Sequence, residues 1–169
     1  MEQNINLLIS GKHCGASLEE FFMATGFSIN RTAASLPLPE ALALLGSYEG
    51  NNILLLATTH HGQHLILEDG SDLLGAPREK RILAFTRNKH TDALAMTLGD
   101  EAGISWYNYY RDGKMQRSVT FEEAEPEETG RPTPFEKNGL EPHAVLASYC
   151  DSWRNLAKLE WTAFECANM

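Results

Sequence analysis

Residues 104–122 have the sequence ISWYNYYRDGKMQRSVTFE, which predicts a β-hairpin. Its first arm is aromatic, and aromatic residues are enriched in strands. In its second arm Val119 and Phe121 alternate with polar residues, as expected for a half-buried strand. Asp112 and Gly113 between the arms are typical of a two-residue turn, because such turns require positive φ angles. The hairpin indicates an antiparallel sheet.

The chain on either side of this hairpin predicts more strands and two helical regions. Ser17 and Glu20 have the spacing of a helix-capping box, and Pro39 suits the first turn of a second helix. Residues 27–36 look irregular, and residues 91–99 are compatible with helix or strand. Further strands are predicted at residues 4–10, 51–59, 64–68 and 81–87.

The C-terminal part, from Pro142 onward, has apolar residues near a helical period of 3.6. We therefore predict an α+β fold, in which an antiparallel sheet of about five to six strands is flanked by N-terminal and C-terminal helices. A chain of 169 residues with 43% hydrophobic residues is expected to form one domain, residues 1–169.

The charge balance narrows the classes of partner. The formal net charge is −9, which disfavours binding to nucleic acid and to anionic membranes. The same charge attracts a basic protein partner and accelerates its encounter. No apolar stretch approaches the ~18–20 residues of a membrane helix. The three cysteines are widely spaced and odd in number, so we expect a cytoplasmic protein without a disulfide framework.

Residues 122–142 are acidic and then rich in proline, which predicts a surface loop. Its acidic cluster is a candidate partner-binding surface, since an extended negative segment suits a basic groove. The cluster consists of Glu122, Glu123, Glu125, Glu127 and Glu128. In the preceding hairpin, Tyr107 and Tyr109 are candidate contact residues, because exposed tyrosines are frequent binding anchors.

His60, His61 and His64 are candidate metal ligands. Imidazoles on adjacent strands can converge, but the spacing matches no zinc pattern. Successive strand residues point to opposite faces, so at most one of His60 and His61 is expected to join His64. We therefore expect no metal and no cofactor. Cys14, after Lys12 and before a helix, is a candidate nucleophile.

Part of the chain resembles a family of uncharacterised bacterial proteins. The resemblance lies in an ordered series of features between residues 82 and 135: an apolar strand Ile82-Leu83-Ala84-Phe85, an aromatic strand Ser105-Trp106-Tyr107, the hairpin 110–122 and then Gly130-Arg131-Pro132. The small size, the acidity and the absence of catalytic motifs also resemble the immunity proteins encoded beside bacterial toxins. The resemblance implies a small cytoplasmic domain without established catalysis.

Three functions remain open at this point. The first is an immunity protein that neutralises a cognate toxin by protein–protein binding. The second is a small hydrolase or transferase that uses Cys14 or the His60/His64 pair. The third is a regulatory or structural module that self-associates, for example as a homodimer, through the aromatic hairpin.

Overall fold

The computed structural model of the chain describes residues 4–70, 73–99, 105–122 and 125–169. Within these residues the strands are β1 (Ile5–Ser10), β2 (Phe27–Pro37), β3 (Ile53–His60), β4 (Gln63–Glu68), β5 (Asp92–Leu98), β6 (Ser105–Arg111), β7 (Lys114–Phe121), β8 (Glu127–Gly130) and β9 (Glu160–Asn168). The helices are α1 (Leu18–Ala24), α2 (Leu38–Ser47), α3 (Ala76–Asn88), α4 (Pro142–Tyr149) and α5 (Trp153–Leu156), with a 3₁₀ turn at Pro134–Glu136.

The described strands form one antiparallel sheet of nine strands in the order β2-β9-β3-β4-β1-β5-β6-β7-β8. The prediction of five to six strands flanked by terminal helices was therefore wrong. The helices are spread along the chain rather than gathered at its two ends. The last strand, β9, lies inside the sheet between β2 and β3.

Two strands were missed because their composition is unlike that of a half-buried strand. β2 is an edge strand whose residues 30–35 are all exposed, so it lacks the apolar alternation that marks a strand. β9 is buried on both faces, with Trp161 and Ala163 on one and Phe164 and Cys166 on the other. Its apolar residues therefore follow no period of two, and the segment was assigned to a helix.

Three further segments have a secondary structure that the sequence predicted wrongly or left open. Residues 81–87, predicted as a strand, lie in α3, where Ile82 and Phe85 are one turn apart on the buried side. A short apolar run does not distinguish a strand from a buried helix. The ambiguous segment 91–99 contains β5, and the predicted loop 122–142 contains β8 and the 3₁₀ turn.

Two local predictions were confirmed. Ser17 caps α1: its hydroxyl accepts a hydrogen bond from the Glu20 backbone N–H at 3.1 Å, and the Glu20 carboxylate accepts from the Ser17 N–H at 3.3 Å. The β6–β7 hairpin turns at Asp112 and Gly113, whose φ angles are 49° and 79°. Both angles are positive, as a type I′ turn requires.

Each face of the sheet is packed against helices. One face, which we call the α4 face, buries a cluster of leucines together with Tyr107, Tyr109 and Trp161 under α2, α4 and α5. The other, the α3 face, buries a second cluster under α1 and α3 that includes Phe21, Phe22, Ile82 and Phe85. Burial of both faces explains the fully apolar runs in β1, β3 and β4.

The α3 face is only partly covered. α3 packs against β5, β6 and the adjacent part of β7. Beyond it the sheet side chains are progressively exposed: Ser118 and Thr120 on β7 are half-buried, and Glu127 and Thr129 on β8 are exposed. This leaves an open strip of sheet beside the helix, and the strip holds the candidate site.

Candidate functional site

An acidic groove lies between the start of α3 and the open strip of β6 and β7. Its volume is about 480 Å³. The strand register places Trp106, Thr120 and Glu127 in one row across β6, β7 and β8, and it places Asn108, Ser118 and Thr129 in the next row. Residues paired in adjacent strands point to the same face, so both rows face the groove or its rim. The sheet thus supplies the groove floor.

Two carboxylates lie along the groove. Glu79 belongs to the first turn of α3, and Glu122 follows the end of β7. Tyr110 donates a hydrogen bond from its hydroxyl to Oε2 of Glu79 at 2.9 Å, and the same hydroxyl accepts from Nδ2 of Asn108 at 3.1 Å. These bonds orient Glu79. Trp106, which lines the same groove, is half-buried. The groove therefore combines an aromatic ring with anionic oxygens.

No lysine, arginine or histidine is found among the groove-lining residues that the structure describes. They are Leu74, Gly75, Ala76, Glu79, Ile82, Trp106, Asn108, Tyr110, Ser118, Thr120 and Glu122. The negative charge of the groove is therefore not neutralised by a cation in its own lining. A cationic side chain entering from outside can pair with a carboxylate and also contact the face of an indole ring.

The predicted acidic cluster is divided between the two faces of the sheet. Glu122 lines the groove, and Glu127 is paired with Thr120 at its rim. Glu128 is paired with Val119 instead, so it points to the α4 face, where it accepts a hydrogen bond from Arg117 at 2.6 Å. Glu125 is exposed just before β8. Glu123 lies outside the described residues.

Arg117 fixes β8 and the following 3₁₀ turn to the sheet. Its guanidinium is almost fully buried, and it donates to Oε1 of Glu136 at 2.7 Å, to Oε2 of Glu136 at 3.2 Å and to the Gly130 carbonyl at 3.0 Å. Burial by itself raises the pKa of Glu136, but the hydrogen bonds from Arg117 and Thr133 outweigh it, and the pKa lies below the usual range. This ion pair positions the strand that carries the acidic rim.

Tyr107 and Tyr109 do not lie on the surface that we predicted. Tyr107 is fully buried and Tyr109 nearly so, both on the α4 face. The Tyr109 hydroxyl donates to Asp92 at 2.7 Å, and burial raises the pKa of both tyrosines well above the usual value. Alternation along β6 explains the outcome: the helices cover the side of the two tyrosines, and Trp106 is left on the open side.

Cys14 is buried in the apolar cluster of the α3 face. Its Sγ is 4.0 Å from the carbonyl oxygen of Ala16, which is also hydrogen-bonded by Nε2 of His64 at 2.7 Å. Nδ1 of His64 is bonded to the Thr59 hydroxyl at 2.8 Å. Both ring nitrogens of His64 are therefore engaged, and among the residues that the structure describes no base is hydrogen-bonded to the Cys14 thiol.

The three candidate histidines of the β3–β4 hairpin do not converge: His60 and His61 lie together, and neither joins His64 as the sequence suggested. His60 and His61 approach each other and share Oδ2 of Asp151, at 2.9 and 3.4 Å, on the α4 face. His64 points to the opposite face. The hydrogen bond with His60 is the main reason why the pKa of Asp151 lies well below its usual range.

Sequence reasoning missed Glu79 and Asp151, which come from segments distant in sequence from their neighbours in the structure. Glu79 meets Tyr110 across a separation of 31 residues, and Asp151 meets His60 across 91. One local signal did exist for Asp151, since it directly precedes the helix cap Ser152. No helix in the described part of the chain is long and apolar enough to cross a membrane.

Comparisons of this chain with models of protein families, with curated proteins and with solved structures give no match. Its function must therefore be inferred from the site itself.

Proposed function

We propose that this protein is a small acidic binding module that neutralises a basic protein partner, as an immunity protein neutralises the toxin encoded beside it. The observation that carries the proposal is the groove, which Glu79, Glu122 and Trp106 line together and whose described lining contains no cation. Such a groove has the chemistry to receive an arginine or lysine side chain of the partner. The partner is neutralised by occlusion of its own functional surface.

The indole ring and the carboxylates of the groove both contribute to the binding of a cationic side chain. A desolvated cation over an indole ring contributes about 2 kcal/mol, which corresponds to roughly 30-fold in affinity. A carboxylate already held in place, as Glu79 is by Tyr110, forms its charge-assisted hydrogen bond without a further ordering cost. Trp and Arg are also the residue types that dominate binding energy at protein interfaces.

The rim and the overall charge serve a different purpose. Glu127 is exposed at the groove rim and Glu125 is exposed just before β8, so both add negative charge to this edge of the sheet. With a net charge of −9, the whole chain attracts a basic partner over a distance of about one Debye length, roughly 10 Å at 0.1 M salt. Rim charges therefore affect the association rate, and the groove affects the lifetime of the complex.

The test begins with the purified partner, obtained by capture on tagged protein at low salt and released at high salt. Its affinity is then measured by calorimetry for the wild type, for Trp106→Ala and for the double variant Glu79→Gln with Glu122→Gln. Both variants are expected to bind at least 10-fold more weakly. A control with Glu40→Gln and Glu49→Gln removes the same charge from exposed sites at α2 and after it.

The control variant should change the affinity less than 3-fold. If the control and the groove variants weaken binding equally, binding depends on net charge alone and the groove assignment is wrong. If neither changes the affinity, the partner binds elsewhere. Far-UV circular dichroism of each variant confirms that loss of binding does not reflect loss of fold.

A further inference from the structure

The tip of the β3–β4 hairpin brings together two histidines that a regular strand would separate. The turn residues His61 and Gly62 have φ angles of 53° and 75°, which correspond to a type I′ turn. Because the backbone of His61 is in the left-handed conformation, its ring turns towards His60, and the two ring centroids are 3.8 Å apart. A left-handed backbone costs a residue other than glycine about 1 kcal/mol or more, so asparagine or glycine is the usual choice here.

The third group comes from the other end of the chain. Asp151 lies between α4 and α5, and its Oδ1 accepts two hydrogen bonds of 2.8 Å each, from the Ser152 backbone N–H and from Nδ2 of Asn155. These bonds fix the carboxylate and leave Oδ2 directed at the hairpin. Nε2 of His60 and Nε2 of His61 meet this one oxygen at 2.9 and 3.4 Å.

The spacing of the three atoms suits a metal ion. One possible ligand atom from each of the three residues lies within 4.8 Å of the other two. A tetrahedral zinc ion with bonds of about 2.0–2.1 Å has its ligand atoms roughly 3.3 Å apart. The His60–Asp151 and His61–Asp151 separations of 2.9 and 3.4 Å lie on either side of that value, so each histidine can share one zinc ion with Asp151 after small side-chain rotations.

We infer that His60, His61 and Asp151 form a binding site for a divalent transition metal ion, with zinc as the best match. Two imidazoles and one carboxylate leave a fourth position for water or for a ligand from another molecule. Imidazole ligands favour zinc, copper and nickel over magnesium and calcium. His60 and Asp151 are 22% and 20% exposed, so the ion can exchange with solvent. The site ties the hairpin to the α4–α5 junction.

This inference is independent of the proposed partner groove. The metal site is on the α4 face, where β3 ends and β4 begins, and the groove is on the α3 face over β6 and β7. A variant at one site should leave the other unchanged. The sequence-based hypothesis allowed at most one of His60 and His61 to join His64; in the structure both meet Asp151 instead, and His64 is not part of the cluster.

The test uses untagged, full-length protein that has been freed of metal with a chelator. Zinc binding is measured by equilibrium dialysis with elemental analysis, and cobalt is added separately because its visible spectrum reports the coordination number. We expect one zinc ion per chain, a cobalt spectrum of four-coordinate type and a higher melting temperature with zinc. Magnesium at the same concentration should do none of these.

Two ligand variants and two histidine controls decide whether the site is assigned correctly. His60→Gln and Asp151→Asn should each weaken zinc binding at least 10-fold and abolish the thermal shift. His64→Gln, on the opposite face of the same hairpin, and His143→Gln, exposed on α4, should bind zinc like the wild type. Absence of saturable zinc binding, or equal weakening by ligand and control variants, would overturn the inference.

Discussion

Replacing Arg117 with methionine should destabilise the protein more than any single change on its surface. The arginine side chain is 2% exposed and lies between Glu136, which is 5% exposed, and Glu128, which is 42% exposed. Methionine fills much of the same volume but removes every hydrogen bond of the guanidinium. The Glu136 carboxylate is then left buried without its countercharge.

The expected loss follows from the burial of the pair. Breaking a buried ion pair by removing one partner costs about 3–5 kcal/mol, because the remaining charge stays desolvated. Glu136 keeps its bonds from the Thr133 backbone N–H and hydroxyl, at 2.7 and 3.0 Å, which places the estimate near the lower end, about 3 kcal/mol. Glu128→Gln removes only the exposed half of the network and should cost less than about 1 kcal/mol.

Urea unfolding followed by tryptophan fluorescence measures this difference. With a urea dependence of about 2 kcal/mol per molar, a loss of about 3 kcal/mol lowers the midpoint by roughly 1.5 M. In the double variant Arg117→Met with Glu136→Leu, both buried charges are absent, and most of the stability should return. A single variant Arg117→Met that loses less than about 1 kcal/mol would refute the buried pairing.

Three further outcomes are expected. The pKa of Glu136 is lower in the folded than in the unfolded chain. Its contribution to stability is therefore present above the unfolded pKa of about 4.3 and is lost as the pH falls through the folded pKa. In a plot of unfolding free energy against pH, Glu136→Gln should give a shallower decline on the acid side. Gly130→Ala should cost at least about 1 kcal/mol in thermal unfolding, because φ is +85° and a Cβ would meet the backbone of β7. Cys14 is buried, and burial is the main cause that raises the pKa of the Cys150 and Cys166 thiols to about 12. A disulfide reagent at pH 8 should therefore label the native chain slowly and the unfolded chain at all three thiols. Rapid labelling of Cys14 in the native chain would restore the nucleophile hypothesis.

The parts of the fold that sequence reasoning predicted are those with a local physical signal. The capping box of α1 and the Asp112-Gly113 turn depend on residues within three positions of each other, and both were confirmed. The strands β2 and β9 have no such signal. They pair with each other over a sequence separation of more than 120 residues, and residues 30–35 of β2 are all exposed and so show no apolar alternation.

The candidate site was predictable to a smaller extent. Composition indicated an acidic surface near residues 122–128, but which carboxylates share a face depends on the register of β7 and β8. Arg117 illustrates the difficulty. Its buried guanidinium neutralises Glu128, but the polar residues next to Arg117 in the sequence do not indicate that it is buried. The convergence of His60 and His61 depends on one left-handed residue, which alternation along a strand does not anticipate.

The position of β9 between β2 and β3 has a consequence for synthesis of the chain. β3 ends at residue 60 and β9 begins at residue 160. At a translation rate of roughly 5–20 residues per second, β3 waits about 5–20 s before its neighbour on that side exists. During this interval an apolar strand with an unpaired edge is exposed, which is a template for aggregation. Slower translation between these two points lengthens the time for which the unpaired edge is exposed, so it should lower the yield of folded protein.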